Sequence, residues 1–556
     1  MGLLAILLAK TNQGTFLKRI VGKLPFCSVL CALVGLFLLL YLPVDGQFRK
    51  TYFSENALLP HQGQTFFRSS DWVVVNGIRD EIRSYEENGM PDFLKVGLTK
   101  NIFEQFDVKV YTHDWSHADG SFGGTNIYGI VRATRGTQNE AAVIAAPWTN
   151  MEGRFNEGGV AVLLGLARHF TKWTMLHKNL IFVIPSNSEV ALRRWVDAYH
   201  TTLQHTAGNI EGAIVLDYAS SSDKFQHIDI GFEGLNGQLP NLDLVNTAGH
   251  SAMSEFVDIS ILGSHISRAQ SYSTRLHTLF RNIYQQAGAG IVNDYPSAMF
   301  SGWHIDAITL RAVEGNRNDI TAFGRVCEST FRSINNLLEH FHQSFFFYLL
   351  LSPVSFVSIA QYLPSAILVA FSFSLMAFYT VFTVEKAAIN SLALLKAIFA
   401  YSFLVLSFVG FGYFYAVENM ELCLLFLATL SIAVIAIVRF GSDAKMMMRI
   451  VVSIILGVLL STLATINFSL ALVLGILLLP LAFVGPNMHD KLNSVLLMIS
   501  NPVVVTTVVG GEAFGLLPGE FIDKMVEGYI ELNSWTWLIV CAIYLPAWTA
   551  ASCICI

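Results

Sequence analysis

The chain has 556 residues, of which 53% are hydrophobic, and its mean hydropathy is +0.50. This composition excludes an ordinary single-domain soluble protein. The formal net charge is only −6 and there is no long basic run, so nucleic-acid binding has no support. Of 35 basic and 41 acidic residues, only 7 and 10 lie in residues 343–556. The sequence therefore predicts a soluble region followed by a membrane domain.

Residues 25–44 are apolar over about 20 positions, which is enough for a helix that crosses a bilayer. The basic residues before this stretch are Lys10, Lys18, Arg19 and Lys23. Because positive flanks stay in the cytosol, residues 1–24 are predicted to be a cytosolic N-terminus, with the next domain across the membrane. A cleaved signal peptide is the alternative, but the apolar run is long for one and no convincing cleavage site follows.

Residues 47–342 carry most of the charge and are predicted to form one α/β domain. Its central stretch, 141–218, alternates short apolar runs with segments of helical spacing. This pattern is typical of βαβ units in a mostly parallel sheet flanked by helices. Since chemistry in such folds lies at the carboxyl ends of the strands, the residues after each apolar run show whether an active site is present.

Residues 343–360 are aromatic and are interrupted by Pro353, so we expect an interfacial helix in the headgroup layer. Residues 361–556 are predicted to form a seven-helix membrane domain, which gives eight spans in total and puts both termini in the cytosol. The seven segments are 361–383, 393–416, 420–439, 449–466, 468–485, 492–509 and 535–554. The acidic loop at 512–531 would then face the lumen.

The order of these elements, with GTNIYGIVRA at 124–133, resembles the co-catalytic zinc aminopeptidase family. That family places a His-x-Asp after one strand, an acidic residue in the next helix-entry loop, a Glu-Glu pair, a further Asp and a late His. Here only Glu189 and Asp217 keep a carboxylate at these vestigial metal-site positions, and Asn156 stands in the helix-entry loop.

Two zinc ions need more ligands than these two carboxylates. No metal, no cofactor and no catalytic residue is therefore predicted. A single weak metal site using Asp217, Glu189 and a histidine stays open as an alternative.

Four blocks stand in order along the chain: TYFSENALLP at 51–60, GTNIYGIVRA at 124–133, EGLNGQLPNLDL at 233–244 and FHQSFFFYLL at 341–350. Together they resemble the GPI-anchor attachment protein subunit of the GPI transamidase complex. The resemblance implies an endoplasmic reticulum membrane protein with a large lumenal, peptidase-like domain. The complex would cleave a C-terminal signal from a proprotein and join the new end to a GPI glycolipid.

In that family the nucleophilic cysteine belongs to a separate, caspase-like subunit. The resemblance thus implies a non-catalytic subunit, a pseudoenzyme that scaffolds the complex and helps to recognise and present the lipid. The alternative is a membrane-bound metallo-aminopeptidase or a metal-dependent enzyme that forms peptide bonds. A transporter is disfavoured because its spans should carry charges along a path, and these spans are nearly uncharged.

The family relates lipid recognition to a proline in the last span, which matches Pro546 here. A proline at that depth frees a carbonyl and kinks the helix, and both need a polar or protein neighbour. The aromatic residues around it are Trp535, Trp537, Tyr544 and Trp548. The resemblance implies that these five residues contact lipid, and the alternative is an interfacial aromatic belt with a harmless kink.

Overall fold

The computed structural model describes residues 15–60, 62, 65–89, 91–266, 271–337, 339–383, 391–485 and 489–555. The chain divides into two compact units. The α/β unit comprises Pro43–Ile359 and Glu531–Asn533, and the helical unit comprises Met1–Leu42, Ala360–Ile530 and Ser534–Ile556. The predicted boundary at 342 therefore falls inside the α/β unit, and most of the predicted cytosolic N-terminus, residues 1–14, lies outside the described residues.

A nine-stranded mixed sheet forms the centre of the α/β unit. Its strands run in the order β2-β3-β5-β4-β6-β10-β7-β8-β9. They are β2 Lys109–Ser116, β3 Phe122–Val131, β4 Glu140–Ala145, β5 Asn179–Ile184, β6 Asn209–Asp217, β7 Lys224–Gly231, β8 Ile259–Ile261, β9 Ser264–His265 and β10 Asp306–Asp319, and β1 Arg49–Lys50 precedes them in a separate sheet.

The parallel core predicted from 141–218 is confirmed. Strands β5, β4, β6 and β10 are parallel neighbours, and β4 and β5 are buried almost throughout because both faces of the sheet are covered. The flanks differ from a mostly parallel sheet, since β2–β3, β3–β5, β10–β7 and β8–β9 are antiparallel. The whole sheet is thus mixed, with a parallel centre.

Helices cover both faces of this sheet, and two separate apolar clusters lie between helices and strands. The larger cluster includes Val75, Leu164 and Phe323, and the smaller includes Trp195 and Phe300. The helices of this unit are α2 Ser69–Glu87, α3 Asp92–Gln105, α4 Glu157–Thr171, α5 Val190–Thr201, α6 Leu242–Ser254, α7 Tyr272–Gly288 and α8 Ile320–Asn335, following α1 Thr15–Tyr41 of the helical unit.

The interfacial helix predicted for 343–360 is wrong. Two strands, β11 Tyr348–Ser352 and β12 Ser355–Ser358, form a hairpin there, and β12 also pairs with β1. Pro353 lies in the turn, where it cannot continue a helix. A continuous apolar run of this length fits a fully buried strand as well as a helix, and every residue of β11 is buried.

The helical unit contains six helices, within the described residues, that are long and apolar enough to cross a membrane, or seven if one bent pair counts as a span. The prediction of eight spans is therefore too high by this criterion. The helices from α9 onward are α9 Ile359–Thr383, α10 Ser391–Ala416, α11 Met420–Val438, α12 Ser442–Ile466, α13 Phe468–Leu478, α14 Asp490–Ile499, α15 Pro502–Val508, α16 Pro518–Leu532, α17 Thr536–Ile539 and α18 Leu545–Cys555.

Two predicted spans account for this difference. The span expected at 468–485 is the apolar helix Phe468–Ala482. At ~1.5 Å per residue this helix is shorter than the hydrocarbon core of a bilayer. The span expected at 492–509 is a pair of helices bent by 43°. Asn501 caps the second helix of that pair with its side-chain oxygen, and Pro502 starts it.

Candidate functional site

Asp217 ends β6 at the carboxyl edge of the parallel core and is 3% exposed. Its neighbour in the sheet register is Arg311 of β10. Arg311 Nε donates to Asp217 Oδ2 at 2.7 Å, and Asn150 Nδ2 donates to Asp217 Oδ1 at 3.2 Å. Both carboxylate oxygens of Asp217 are therefore bound by side chains of the same unit.

Arg311 is itself fixed by two further contacts. It donates to the backbone carbonyl of Asp294, and its guanidinium lies 4.6 Å from the centroid of the Tyr295 ring. The guanidinium of Arg311 is thus held in a fixed position beside Asp217. Arg311 is not among the predicted site residues, because the ligand pattern contains only histidine and acidic residues.

Glu189 has different partners. It precedes α5, and its Oε1 accepts a hydrogen bond of 2.7 Å from Nδ2 of Asn293. The structure therefore places the two vestigial positions, Glu189 and Asp217, in separate polar contacts. Among the described residues, no group of three or more His, Cys, Asp and Glu side chains could hold a metal ion.

Asn156, in the helix-entry loop, connects two strand ends. Its Nδ2 donates to the carbonyls of Pro147 and Leu216 at 2.9 Å, and its Oδ1 accepts from the amide of Tyr218 at 2.7 Å. Every polar atom of this fully buried amide is used. Asn156 has a structural role where the family pattern has an acidic ligand.

Two more acidic residues near this edge accept hydrogen bonds within the fold. Glu233 accepts hydrogen bonds from the backbone amides of Asp294 and Tyr295 at 2.8 and 2.9 Å. Burial raises the pKa of its carboxyl well above the usual value. Asp229 accepts hydrogen bonds from the hydroxyls of Tyr295 and Ser260. Both carboxyl groups therefore have hydrogen-bond donors within the α/β unit.

The last apolar span is not a regular α-helix. A π-helical segment, Val540–Tyr544, joins α17 to α18, and Pro546 follows it as a buried residue. Because proline has no amide hydrogen, it leaves the carbonyl one turn earlier without its helical donor, and the wider segment accommodates this defect.

The aromatic residues predicted to contact lipid differ in their surroundings. Trp537 donates to the carbonyl of Gly412 at 2.9 Å, Tyr544 to that of Ser500 at 2.8 Å and Trp548 to that of Leu497 at 3.0 Å. Trp535 is 46% exposed. Three of the four aromatic residues thus bind backbone carbonyls of α10 and of the α14 end, which holds the last span within the helical unit.

An apolar groove of about 510 Å³ lies beside the start of this span. We call it the α10–α11 groove. A side-chain hydrogen bond across the two helices joins the Thr429 and Ser407 hydroxyls at 3.1 Å, and the remaining walls are almost entirely apolar. The lining residues are Phe403, Leu406, Ser407, Val409, Gly410, Tyr413, Phe426, Thr429 and Leu538.

The fold and site define a polytopic membrane protein with a large α/β domain whose strand-end carboxylates are bound internally. A sequence profile described as "Gaa1-like, GPI transamidase component" matches residues 123–552. The GPI transamidase component GAA1 of Saccharomyces cerevisiae is 36% identical over 588 residues, covering 95% of this chain and 94% of that protein. The Schizosaccharomyces pombe component gaa1 is 29% identical, covering 86% and 84%. The chain belongs to the Gaa1-like family of GPI transamidase components.

Solved structures with a similar α/β domain share little sequence with this chain. LapB from Legionella pneumophila has a TM-score of 0.34 at 13% identity and covers 51% of this chain and 78% of its own. The Acidobacteriales bacterium glutaminyl cyclase has a TM-score of 0.33 at 12% identity, covering 50% and 98%.

Proposed function

We propose that this chain is a non-catalytic subunit of the GPI transamidase complex. One observation carries the proposal: Arg311 is bound to the buried Asp217 at the strand-end edge, where a hydrolytic metal centre of this fold would need open ligands. Among the described residues, no group of three or more His, Cys, Asp and Glu side chains could hold a metal ion beside Asp217. Cleavage and transfer would then be carried out by a separate, caspase-like subunit.

The same proposal assigns the chain two tasks. It scaffolds the other subunits, and it helps to recognise and present the GPI glycolipid for attachment to proprotein C-termini. The α10–α11 groove supports the second task, because apolar walls beside the last span suit an acyl chain. Pro546 and the aromatic residues around it would hold that span in the conformation that forms one wall through Leu538.

We also propose that the protein resides in the endoplasmic reticulum membrane, with the large domain lumenal and both termini cytosolic. The basic residues before the first span support this orientation. The acidic segment before the last span supports it too, since Glu531–Asn533 belong to the α/β unit. There Glu531 accepts hydrogen bonds from Arg194 and from the amide of Ala118.

Replacing Pro546 with Leu tests the lipid role in the intact complex. Leucine restores the missing amide donor, so the span should lose its π-helical segment while its hydrophobicity stays high. We expect the variant to assemble with its partner subunits, but we expect less GPI to co-purify with the complex. Unchanged GPI recovery would count against the proposed lipid contact.

Metal analysis and activity of the purified chain test the non-catalytic role. We expect no stoichiometric zinc and no peptidase or transfer activity from the chain without its partners. Stoichiometric zinc together with activity abolished by Asp217→Asn would instead support the metalloenzyme alternative.

A further inference from the structure

Strand β2 forms one edge of the nine-stranded sheet and has one strand neighbour, β3. It runs over eight residues, Lys109–Ser116, whereas the other edge strand, β9, has two. Long open edges are uncommon in isolated proteins because they pair with other chains. The outer side of β2 is therefore unusual for a surface that remains exposed.

The backbone of β2 offers free hydrogen-bonding groups on that outer side. In an antiparallel pair every second residue directs its N–H and C=O away from the partner strand. Within the described parts of the chain, no backbone hydrogen bond joins residues 109–116 to any segment other than β3. Half of the strand thus presents donors and acceptors at the spacing that an extended polypeptide requires.

A groove of about 460 Å³ follows this edge. Lys100 of α3 lies on one side of it, and residues 202–205 after α5 lie on the other. These two walls belong to opposite faces of the sheet, because α3 packs in the larger apolar cluster and Leu203 packs against the smaller one. The groove therefore straddles the strand edge, with Tyr111 and Thr112 along it.

We propose that an extended segment of another subunit of the same complex adds to β2 as a tenth strand. This inference rests on the proposed subunit role. A permanent partner is favoured over the proprotein, because a substrate that comes and goes would leave the edge open for most of the time. The side chains of Lys109 and Asp114 on this strand are exposed. They would favour a partner strand with opposite charges at the facing positions and limit pairing with other chains.

Hydrogen exchange at single-residue resolution tests the proposal by comparing the intact complex with the full chain purified alone. We expect the alternate amides of 109–116 that exchange rapidly in the single chain to be slowed by about tenfold or more in the complex. The amides of the interior strand β7 should be protected equally in both samples. Equal exchange of 109–116 in both samples would overturn the proposal, and so would protection that needs added proprotein.

Two single variants, Thr112→Pro and His113→Pro, distinguish strand pairing from simple covering. Adjacent residues direct their amides to opposite sides, so one proline removes a bond to β3 and the other only blocks the outer edge. We expect the variant whose proline replaces an outward-directed amide to melt as the wild type does and to no longer bind the partner subunit. If both variants melt as the wild type does and both still bind the subunit, strand addition is wrong.

Failure of the subunit role itself would look different. In that case the wild-type chain would purify from membranes without partner subunits, whatever the exchange at β2. If both proline variants unfold, the exchange measured on the wild-type complex still decides the question.

Discussion

The ion pair between Asp217 and Arg311 determines the character of the strand-end edge. Both side chains are largely buried, with 4% and 18% exposure. A buried carboxylate is costly unless a cation and hydrogen bonds compensate it, and here Arg311 and Asn150 do so. The pair therefore stabilises the α/β unit at the carboxyl edge of the parallel strands.

Removing the cation should expose this dependence. Arg311→Ala leaves Asp217 buried without its partner, so we expect the free energy of unfolding of the α/β unit to fall by about 3–5 kcal/mol. Pulse proteolysis of the full chain in urea measures the change. Arg317→Ala is the matched control, because Arg317 pairs with Asp258 in another ion pair whose side chains are 50% and 48% exposed.

The exposed pair in the control should contribute no more than about 1 kcal/mol. Equal, small effects of both substitutions would contradict the structural role of Arg311. A gain of stability on adding zinc to the Arg311 variant would show that Asp217 can still bind a metal.

Asp306, the first residue of β10, makes the stability of the α/β unit dependent on pH. Burial raises the pKa of its carboxyl to about 7, although its Oδ1 accepts the amide of Asn241 at 2.7 Å. Because the folded pKa lies above the ordinary value of 3.8, the folded state holds the proton longer than the unfolded state does. Its contribution to stability is complete below about pH 4 and is lost as the pH rises towards about 7.

Replacing Asp306 with Asn should remove this dependence, since the amide oxygen can still accept the Asn241 bond. We expect stability in the wild type to fall over this range by at most about 1.4 kcal/mol per pH unit beyond the decline in the variant. Denaturant unfolding of both proteins at pH 5, 6 and 7 measures the difference. Parallel curves would show that Asp306 does not titrate differently on folding.

The residue types predict a loss of metal ligands, but they do not predict which groups lie beside Asp217. The loss of ligands could be read from residue types, as with Asn156 in the helix-entry loop. The contact of Arg311 with Asp217 could not be predicted, because it depends on the register of β10 against β6, two strands far apart in the chain. A charged residue inside an apolar strand was the one available signal.

The last span and the α10–α11 groove are best considered as elements of the helical unit. Hydrogen bonds from Trp537 and Tyr544 fix the span to neighbouring helices, and Leu538 lines the groove. The five predicted lipid residues thus remain a proposal in which most of them act by holding the span. In this proposal, the groove walls would contact the lipid directly.

Filling the groove should weaken lipid binding without disturbing the fold. Leu406 of α10 lines it and is 65% exposed, so Leu406→Trp adds bulk where an acyl chain would lie. We expect GPI recovered with the purified complex to fall by about fivefold, which corresponds to roughly 1 kcal/mol. The measurement is mass spectrometry of lipid extracted from equal amounts of complex.

Leu424→Trp is the matched control, because Leu424 of α11 is 66% exposed and does not line the groove. It should leave GPI recovery unchanged. Equal losses in both variants would indicate a general effect of surface bulk in the membrane region.

Element boundaries were predictable where hydropathy alone decides them. The expected span at 393–416 corresponds to α10 Ser391–Ala416, and that at 420–439 to α11 Met420–Val438. The hairpin at 348–358 was not predictable, because its second strand, β12, also pairs with Arg49–Lys50, which precede it by about 300 positions. The nearby sequence gives no sign of a partner so far away, so the periodicity was ambiguous.

The orientation of the whole molecule can be tested with a single glycan. Asn316 is exposed, and the substitution Asn318→Thr makes it the acceptor of an Asn-x-Thr sequon in the α/β unit. The side chain of Asn318 donates a long hydrogen bond of 3.3 Å to the carbonyl of Gln226, so its replacement should leave the fold intact. In the proposed topology we expect a shift in electrophoretic mobility that an endoglycosidase reverses. An acceptor tag attached after Ile556 should stay unmodified, and modification of that tag instead would reverse the assigned orientation.

The small sheet of β1, β11 and β12 has a consequence for how the large domain is attached to the chain. Arg49 pairs with Phe356 and Lys50 with Ser355, so the polypeptide enters and leaves this domain at neighbouring points about 5 Å apart. The segment from Arg49 to Phe356 is thus closed at its own ends, and Glu531–Asn533 join the same unit from a later part of the chain. Because the pairing of β1 with β12 holds the two ends of this segment together, it compensates much of the entropy lost on closing the segment into a loop.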